Sequence, residues 1–189
     1  MAELPEIFKL AGQMRDTLCG KTIQSITLLQ EKCANIPPDE FQKRVTNARI
    51  MDIRNKGKWI ITELHNGENI LLSLGMGADV LYFNNEKKQA DKYQVKVIFS
   101  DGSGYTIRFW WLGKYMLVFD DELASEPNIK DIGIDPFDER FTLDYFSSLM
   151  EGKKTQIKSF LMNQKNVSGI GNMYMHDILF KARLHPQKK

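Results

Sequence analysis

The first eighteen residues carry apolar side chains at helical spacing. Five of them follow the i, i+3, i+4 pattern that forms one face of an α-helix: Ile7, Leu10, Ala11, Met14 and Leu18. Pro5 suits the first turn of such a helix, and Gly20 suits the position just after its end. We therefore predict that the chain begins with one helix.

From Lys21 to about Phe119 the pattern changes to short runs of β-branched, aromatic and aliphatic residues. Eight runs stand out: KTIQSITLL, ARIMDIR, KWIITEL, NILLSLGM, ADVLYF, YQVKVIFS, YTIRFWW and KYMLVF. Turn sequences separate several of them, notably HNG at 65–67 and DGSG at 101–104. About eight short strands joined largely by hairpins predict an antiparallel β-sandwich or barrel.

After the sequence DIGIDPF the helical period returns. Thr142 and Thr155 are suited to cap two helices that end at about residues 150 and 163, and a third helix is predicted near 172–182. The boundary between the two patterns lies near 131–138. The sequence thus predicts an α+β fold, with residues 1–131 as a helix plus β-sandwich and residues 138–189 as a helical domain.

The charge distribution is uneven, although the formal net charge is only +2. Between residues 153 and 189 the single acid is Asp177, and eight residues are basic: Lys153, Lys154, Lys158, Lys165, Lys181, Arg183, Lys188 and Lys189. Such a basic end is expected if it contacts phosphates, although a solvated lysine face has the same composition. The 189 residues, 42% hydrophobic, suffice for one core and a small satellite domain.

The two cysteines, Cys19 and Cys33, have no CxxC spacing, and no histidines cluster. Neither a disulfide framework nor a zinc site is predicted, which is typical of a reduced, intracellular protein. The N-terminal residues MAELPEIFKLAG do not resemble a signal peptide, and no later apolar run reaches membrane-spanning length. We predict a soluble, cytoplasmic protein without a membrane partner.

The stretch NVSGIGNMYM places Gly169 and Gly171 at the start of the last predicted helix. A glycine turn that leads into a helix N-terminus can present backbone N–H groups to an anion. A helix-hairpin-helix arrangement uses the same contacts, and close packing of an ordinary helix start also accounts for the glycines. A dinucleotide-binding turn is excluded, because no strand precedes it and the third glycine of GxGxxG is missing.

Five motifs in a fixed order give the chain a family resemblance: AELPE, GKW, LGM, IGIDPF and NQKNVSGIGNMY. Together they resemble the formamidopyrimidine-DNA glycosylase and endonuclease VIII family of base-excision repair enzymes. The resemblance implies a catalytic helix and β-sandwich, followed by a helix-two-turn-helix DNA-binding domain. It also implies that the damaged base is flipped out of the duplex and excised.

The resemblance assigns the chemistry to the N-terminus. The nucleophile is the amine exposed when Met1 is removed, normally that of a proline, and here it belongs to Ala2. An α-amino group titrates at about pH 8, so part of it is neutral at physiological pH. Glu3 is the expected acid that protonates the opening sugar, and Glu6 is expected to orient the N-terminus. Taken alone, both acids are equally explained as favourable charges in the first turn of a helix.

The same resemblance assigns residues to DNA binding. Lys58 corresponds to a lysine that contacts phosphate at the lesion, and Met76 to the residue that fills the space left by the flipped base. A solvent-facing lysine and a core methionine are the ordinary alternatives. The DNA-binding set is completed at the end of the chain by Lys158, Gly169, Gly171, Asn172 and Tyr174, with the amides of the glycine turn and the Asn172 side chain facing phosphates.

Two motifs depart from the family pattern. Ser73 replaces the histidine that precedes LGM, and WWLG replaces the RRFG intercalation loop. We expect Trp110, Trp111 and Leu112 to stack on and wedge between bases, while Arg108 is the one candidate to replace the lost arginine through a shifted register.

Family members continue beyond the position of Lys189 to a four-cysteine zinc finger. We therefore expect either a fragment or a shortened form that binds DNA weakly, with no cofactor in this chain. The predicted partner is damaged or abasic double-stranded DNA, bound by a monomer. A non-catalytic DNA-binding remnant of the family and an RNA-binding sandwich are the alternatives, and the lesion itself is left open.

Overall fold

The computed structural model describes residues 2–85 and 88–189. The helices in these ranges are α1 (Leu4–Leu18), α2 (Pro38–Val45), α3 (Asp120–Leu123), α4 (Leu143–Met150), α5 (Ile157–Met162) and α6 (Asn172–Lys181). The strands are β1 (Ile23–Leu28), β2 (Ile50–Lys56), β3 (Trp59–Leu64), β4 (Glu68–Ser73), β5 (Gly77–Phe83), β6 (Val95–Phe99), β7 (Gly104–Trp111) and β8 (Lys114–Phe119). Within the described ranges, no helix has both the length and the apolar content needed to cross a membrane.

The first helix forms as predicted. α1 buries one face, and Ile7, Ala11, Met14 and Leu18 of that face belong to the core cluster of the β-sandwich. Chain direction changes after the helix at Gly20, whose φ of +85° is readily adopted only by glycine. The apolar stripe thus holds the start of the chain firmly against the sheets.

The eight strands form two antiparallel sheets. Their strand orders are β1-β6-β7-β5 and β2-β3-β4-β8. Side chains from both sheets and from α1 share one buried cluster, which Tyr105 of β7 and Tyr115 of β8 bridge through a 2.7 Å hydrogen bond between their hydroxyls. The predicted α+β class and the β-sandwich are confirmed.

The sequence patterns do not predict three short helical segments, two inside the β-rich region and one directly after it. They are a 3₁₀ turn at Glu31–Cys33, the eight-residue α2 and the four-residue α3. α2 buries only Phe41 and Val45, so it has too few apolar positions to establish a period. Its start signal, a proline in the first turn followed by Asp39 and Glu40, was present in the sequence.

The last three helices surround a second, smaller core. Phe160, Leu161, Val167, Met175 and Leu179 are buried there, apart from the sandwich core. The predicted cap of α4 is confirmed, since the Thr142 hydroxyl accepts a hydrogen bond from the Tyr145 N–H. The cap predicted at Thr155 is wrong, because α5 begins one residue later and Gln156 is its N-cap residue.

A buried ion pair ties α2 to the second sheet. The Arg44 guanidinium donates two hydrogen bonds of 2.6 Å to the carboxylate of Glu68, which is 3% exposed, and it stacks on the Phe119 ring at 4.2 Å. A bidentate pair of this kind provides hydrogen bonds to both oxygens of a carboxylate that burial has removed from solvent.

Removal of the arginine should destabilise the protein strongly. We expect Arg44→Ala to lower the free energy of unfolding by about 3–5 kcal/mol, because Glu68 is left as an unpaired buried charge. Lys43→Ala, at the exposed neighbour on α2, is the matched control and should change it by less than about 0.5 kcal/mol. Urea denaturation of both variants measures the difference, and equal midpoints would contradict the role assigned to the pair.

Candidate active site

A buried carboxylate occupies the N-terminus of α6. Glu3 is 2% exposed, and its oxygens accept hydrogen bonds from the backbone N–H groups of Gly171 (2.7 Å), Met173 (2.9 Å) and Tyr174 (3.2 Å). N–H groups in the first turn of a helix have no partner within the helix, and they lie at the positive end of its dipole. The N-terminus of α6 thereby holds the Glu3 side chain in place.

Two glycines make this approach possible. A Cβ on Gly171 would lie 2.3 Å from Glu3 Oε1 and 2.7 Å from Lys58 Nζ. Gly169 has a φ of +83°, a Cβ there would lie 2.6 Å from the Leu4 Cβ, and its carbonyl accepts a 3.0 Å hydrogen bond from the Leu4 N–H. The start of α1 and the turn before α6 therefore meet through backbone.

The glycine turn binds an anion, but that anion is part of the protein. The Gly171 N–H donates to Glu3, and the Gly169 N–H donates to Gln164 Oε1 at 2.9 Å. The prediction that these two amides are open to a DNA phosphate is therefore wrong. Asn172 is exposed at the first position of α6 and remains a predicted phosphate contact.

Glu6 also contacts α6, through the side chain of Tyr174. Its carboxylate accepts hydrogen bonds from the Glu3 N–H (3.0 Å) and from the Tyr174 hydroxyl (2.6 Å). Partial desolvation raises the pKa of Glu6, but these hydrogen bonds outweigh it and leave the pKa below its ordinary value. The same hydrogen bond raises the pKa of Tyr174. Glu6 thus holds the backbone that leads to Ala2.

Lys58 lies in the turn before β3, beside the Glu3 carboxylate. Burial lowers the pKa of Lys58, and the negative charge of Glu3 acts in the opposite direction. The two groups approach each other across Gly171, where a Cβ would meet both. Sequence reasoning placed both residues in the site, and the structure brings them together.

A cavity of about 190 Å³ lies next to these groups. It is lined by Ala2, Ile7, Lys58, Ser73, Leu74, Gly75, Met76 and Leu112. Four predicted site residues therefore share one concave surface, together with Ser73, which replaces the family histidine. A larger cavity of about 440 Å³ lies between α1 and strands β5 and β7, but no predicted site residue lines it.

The turns after β4 and β7 pack backbone to backbone beside this cavity. Gly75 has a φ of +55°, and a Cβ there would lie 2.2 Å from the Trp111 carbonyl oxygen. That oxygen accepts a 2.9 Å hydrogen bond from the Met76 N–H. Glycine is therefore required at position 75, and the two turns form one unit.

Four large apolar side chains project from this unit, and we call them the apolar tip. Met76 is 47% exposed, Trp110 64%, Trp111 67% and Leu112 72%. The Trp110 indole lies on Gly77 and donates a 3.4 Å hydrogen bond to Asp79. Core methionines and tryptophans are not exposed to this degree, so the core alternative for Met76 is wrong.

Two residues predicted from the sequence belong neither to the cavity lining nor to the apolar tip. Lys158 is half-buried on α5, where its N–H donates to the Pro186 carbonyl, and it does not line the cavity. Arg108 lines a separate depression on β7 with Asp79 and Leu81. The register shift that would bring Arg108 to the tip is not observed, because Arg108 pairs with Asp79 in the β5–β7 ladder.

Gln164 belongs to the motif NQKNVSGIGNMY and is a site residue whose role the sequence does not predict. Its side-chain NH₂ donates to the carbonyls of Met162 (3.0 Å) and Ile170 (2.8 Å), and its oxygen accepts from Gly169. It fixes the turn that receives Glu3. An irregular loop gives no periodic signal for such a residue.

The described residues do not fit a structural zinc site. They contain no group of three or more His, Cys, Asp or Glu side chains arranged to hold a metal ion. Cys19 is exposed after α1, whereas Cys33 is buried in the 3₁₀ turn and its thiol donates to the Gln30 carbonyl. Burial raises the pKa of Cys33, which disfavours the thiolate that binds metals.

Two family models match the chain. Residues 1–110 match the formamidopyrimidine-DNA glycosylase N-terminal domain, and residues 132–189 match the formamidopyrimidine-DNA glycosylase H2TH domain. Among similar proteins, the formamidopyrimidine-DNA glycosylase of Rickettsia africae is 30% identical over the whole chain, which spans 69% of that protein. That of Wolbachia sp. subsp. Brugia malayi is 34% identical over 98% of the chain, which spans 68% of that protein.

The fold is also similar to solved structures. A crystal structure of the Lactococcus lactis formamidopyrimidine-DNA glycosylase, non-covalently bound to DNA containing an AP site, aligns with a TM-score of 0.88. The alignment covers 100% of this chain and 72% of that one at 24% identity. A second structure of the same Lactococcus protein, bound to N7-benzyl-Fapy-dG DNA, gives a TM-score of 0.85. These matches support the architecture described above.

The Glu6–Tyr174 hydrogen bond gives a prediction for pH dependence. Because the hydroxyl stabilises ionised Glu6, Tyr174→Phe should raise the pKa of Glu6 towards its ordinary value of 4.5. Because the pKa of Glu6 is lower in the folded state, ionised Glu6 stabilises the wild-type fold above pH 4.5, and this stabilisation is lost as the pH falls through the folded-state pKa. The difference in unfolding free energy between the wild type and Tyr174→Phe should therefore shrink in acid.

Carboxyl ¹³C NMR titration of Glu6 measures this shift. Tyr145→Phe, on α4, is the control and should leave the titration of Glu6 unchanged. A Glu6 pKa that does not respond to Tyr174→Phe would show that the hydroxyl does not stabilise the carboxylate.

Proposed function

The chain belongs to the formamidopyrimidine-DNA glycosylase family, and we propose that it excises oxidised bases from duplex DNA and cleaves the resulting abasic site through the Ala2 amine. The family is one of DNA glycosylases with lyase activity acting in base-excision repair. The observation that carries the proposal is the shared cavity, which places Ala2, Lys58, Met76 and Leu112 around one space beside buried Glu3.

In the proposed first step, the nitrogen of Ala2 attacks the sugar C1′ of the damaged nucleotide. The N–C1′ bond forms while the bond from C1′ to the base breaks, and the base leaves with that electron pair and takes up a proton. This requires Met1 to be removed, and Met1 lies outside the described residues. Ala2 is half-buried at the cavity wall, so a freed amine would face the cavity.

Glu3 is proposed as the acid of the second step. Opening of the sugar breaks the C1′–O4′ bond, O4′ takes a proton from Glu3, and an imine forms between C1′ and Ala2. Loss of a C2′ proton and departure of the 3′-phosphate then cleave the strand by β-elimination. Glu3 obtains this proton from the Ala2 nitrogen, which becomes positively charged when it attacks C1′, and the hydrogen bonds from α6 hold the carboxylate in one position for the transfer.

Glu6 is proposed as a positioning residue. It does not line the cavity, but it accepts the Glu3 N–H at 3.0 Å and so fixes the peptide that connects Ala2 to Glu3. Tyr174, predicted as a DNA contact, is proposed to act through Glu6.

The remaining site residues suit a flipped nucleotide. Lys58 supplies a cation in the cavity for the phosphate next to the lesion, and exposed Asn172 offers a second polar contact. Met76 and Leu112 line the cavity and are exposed, so they can fill the space that the flipped base leaves in the stack.

We further propose that the protein acts as a monomer in the cytoplasm of a bacterium, where its substrate lies. The relatives described above are bacterial. A non-catalytic DNA-binding remnant and an RNA-binding protein are the alternatives that the following experiments distinguish.

Borohydride trapping tests the nucleophile. With Met1 removed, as verified by mass spectrometry, the chain should form an imine with an abasic duplex that borohydride reduces to a stable protein–DNA adduct. A chain with an uncleaved N-terminal extension is the control and should give no adduct. Binding to abasic duplex without any trapped adduct would favour the remnant, and stronger binding to single-stranded RNA would favour the RNA-binding alternative.

Glu3→Gln should separate excision from imine formation. We expect roughly 100-fold slower excision of 8-oxoguanine or of an oxidised pyrimidine, whichever the wild type removes, because excision is completed only when the sugar opens with a proton from Glu3. An adduct should still form at a preformed abasic site, whose base has already gone and whose sugar opens with less acid catalysis. The amide places an NH₂ group against a backbone N–H of α6, so unfolding must be measured in parallel. Equal loss of both activities in a folded variant would contradict the role of Glu3 as the acid.

Lys58 should contribute one phosphate contact. Lys58→Ala should weaken binding to an abasic duplex and lower the slope of log K against log salt by roughly one unit. Lys43→Ala, an exposed lysine on α2, is the matched control and should keep the wild-type slope. An unchanged slope in Lys58→Ala would remove Lys58 from the DNA contacts.

A further inference from the structure

We infer that strand cleavage, unlike base excision, requires a proton on the imine between Ala2 and C1′, so that the chain cuts the strand at lower pH and leaves an intact abasic site at higher pH. The inference rests on the proposed function and concerns the products of the same site. It follows from the hydrogens on the Ala2 nitrogen and from the groups that surround it.

The neutral amine of Ala2 carries two hydrogens. One passes to Glu3 after the nitrogen has attacked C1′, and Glu3 gives it to O4′ as the sugar opens. The other stays on the nitrogen of the resulting iminium ion, which can lose it to solvent and become a neutral imine. A proline nitrogen has only one hydrogen, so its iminium ion has none left and remains charged at every pH.

The charged form is the one that accepts electrons in β-elimination. The Glu3 carboxylate takes the C2′ proton, the electron pair of the C2′–H bond forms a C1′–C2′ double bond, and the C=N pair moves onto nitrogen. The nitrogen pair then returns, and the C1′–C2′ pair moves to C2′–C3′ and expels the 3′-phosphate. A charged nitrogen becomes neutral in the first of these steps, whereas a neutral nitrogen would have to become an anion.

A neutral imine has a different outcome. Water adds to C1′, the C1′–N bond breaks, and the free amine and an aldehyde are restored. The strand is then released uncut, although its damaged base has already been removed.

The cavity around Ala2 favours loss of the imine proton. Lys58 lines the same cavity and supplies a second positive charge. Much of the remaining wall is apolar and is formed by Ile7, Leu74, Met76 and Leu112. A like charge and poor solvation both disfavour a cation, and an imine nitrogen is less basic than its parent amine. Because α-amino groups titrate at about pH 8, the imine should lose its proton below about pH 8.

The carboxylates near Ala2 oppose this loss only in part. Glu3 accepts three N–H groups of α6, and Glu6 accepts the Tyr174 hydroxyl and the Glu3 N–H. The hydrogen bond to Glu6 raises the pKa of Tyr174 above its ordinary value of 10.0, so the hydroxyl stays neutral near pH 8. Lys114 on β8 lies opposite Ser73 of the cavity wall and adds a further positive charge.

Strand cutting measured against pH tests the inference. Protein whose N-terminus has been verified by mass spectrometry is mixed in excess with a duplex that has a natural abasic site, from about pH 6 to about pH 9. The initial rate of cutting, corrected for protein-free cutting, is divided by the amount of borohydride-trapped adduct. This ratio should fall roughly tenfold per pH unit above the transition, because one proton is lost.

Two variants of Ala2 identify the proton responsible. Ala2→Gly keeps a primary amine and should reproduce the wild-type fall. Ala2→Pro gives an iminium ion without a hydrogen, so its ratio should stay nearly constant and should exceed that of the wild type roughly tenfold one pH unit above the transition. Lys58 and Lys114 are present in all three proteins, so their own titration cannot cause the difference. Thermal unfolding verifies that both variants fold.

Four results would overturn the inference and leave the proposed function intact. They are a wild-type ratio that is constant over the range, a transition above pH 8, an equally steep fall in Ala2→Pro, and a constant ratio in Ala2→Gly. Absence of adduct or of cut strand at every pH, in protein that lacks Met1, would overturn the proposed function together with this inference.

Discussion

The site depends on one interaction, the set of hydrogen bonds between the Glu3 carboxylate and the N-terminus of α6. A buried carboxylate needs compensation, and three backbone N–H groups of a helix end supply it, with the Lys58 ammonium close by. The same contact fixes Glu3 beside Lys58 and sets the position of the turn that contains Gly169 and Gly171. If this contact were lost, Glu3, Lys58 and the N-terminus of α6 would no longer be held next to one another.

The polar half and the apolar half of the site are held in place by different interactions. The polar half holds charges close together through backbone N–H groups and therefore needs glycine where side chains would intervene. The apolar half holds large side chains in water, which is unfavourable for a free protein, and does so through two turns whose backbones are in direct contact.

Local patterns in the sequence predict the helix, the eight strands and the last three helices, because those elements carry apolar residues in helical or strand-like runs bounded by turn and cap residues. The same patterns could not reveal α2, which has two buried residues, or Gln164, whose bonds lie in an irregular loop. The site residues came from the order of the motifs. That order does not show which donor meets which acceptor, so it predicts that the amides of Gly169 and Gly171 face DNA, whereas Gln164 and Glu3 occupy them in the structure.

The hydrogen bond from Gly171 to Glu3 also joins residues 168 positions apart. During synthesis on a ribosome the first helix and both sheets are complete long before α6 emerges, since domains generally fold N-terminal first. Throughout that interval Glu3 has no helix end to bind and Lys58 has no fixed partner. A nascent chain can therefore build its sandwich core before the N-terminus of α6 brings Glu3 and Lys58 into their fixed arrangement.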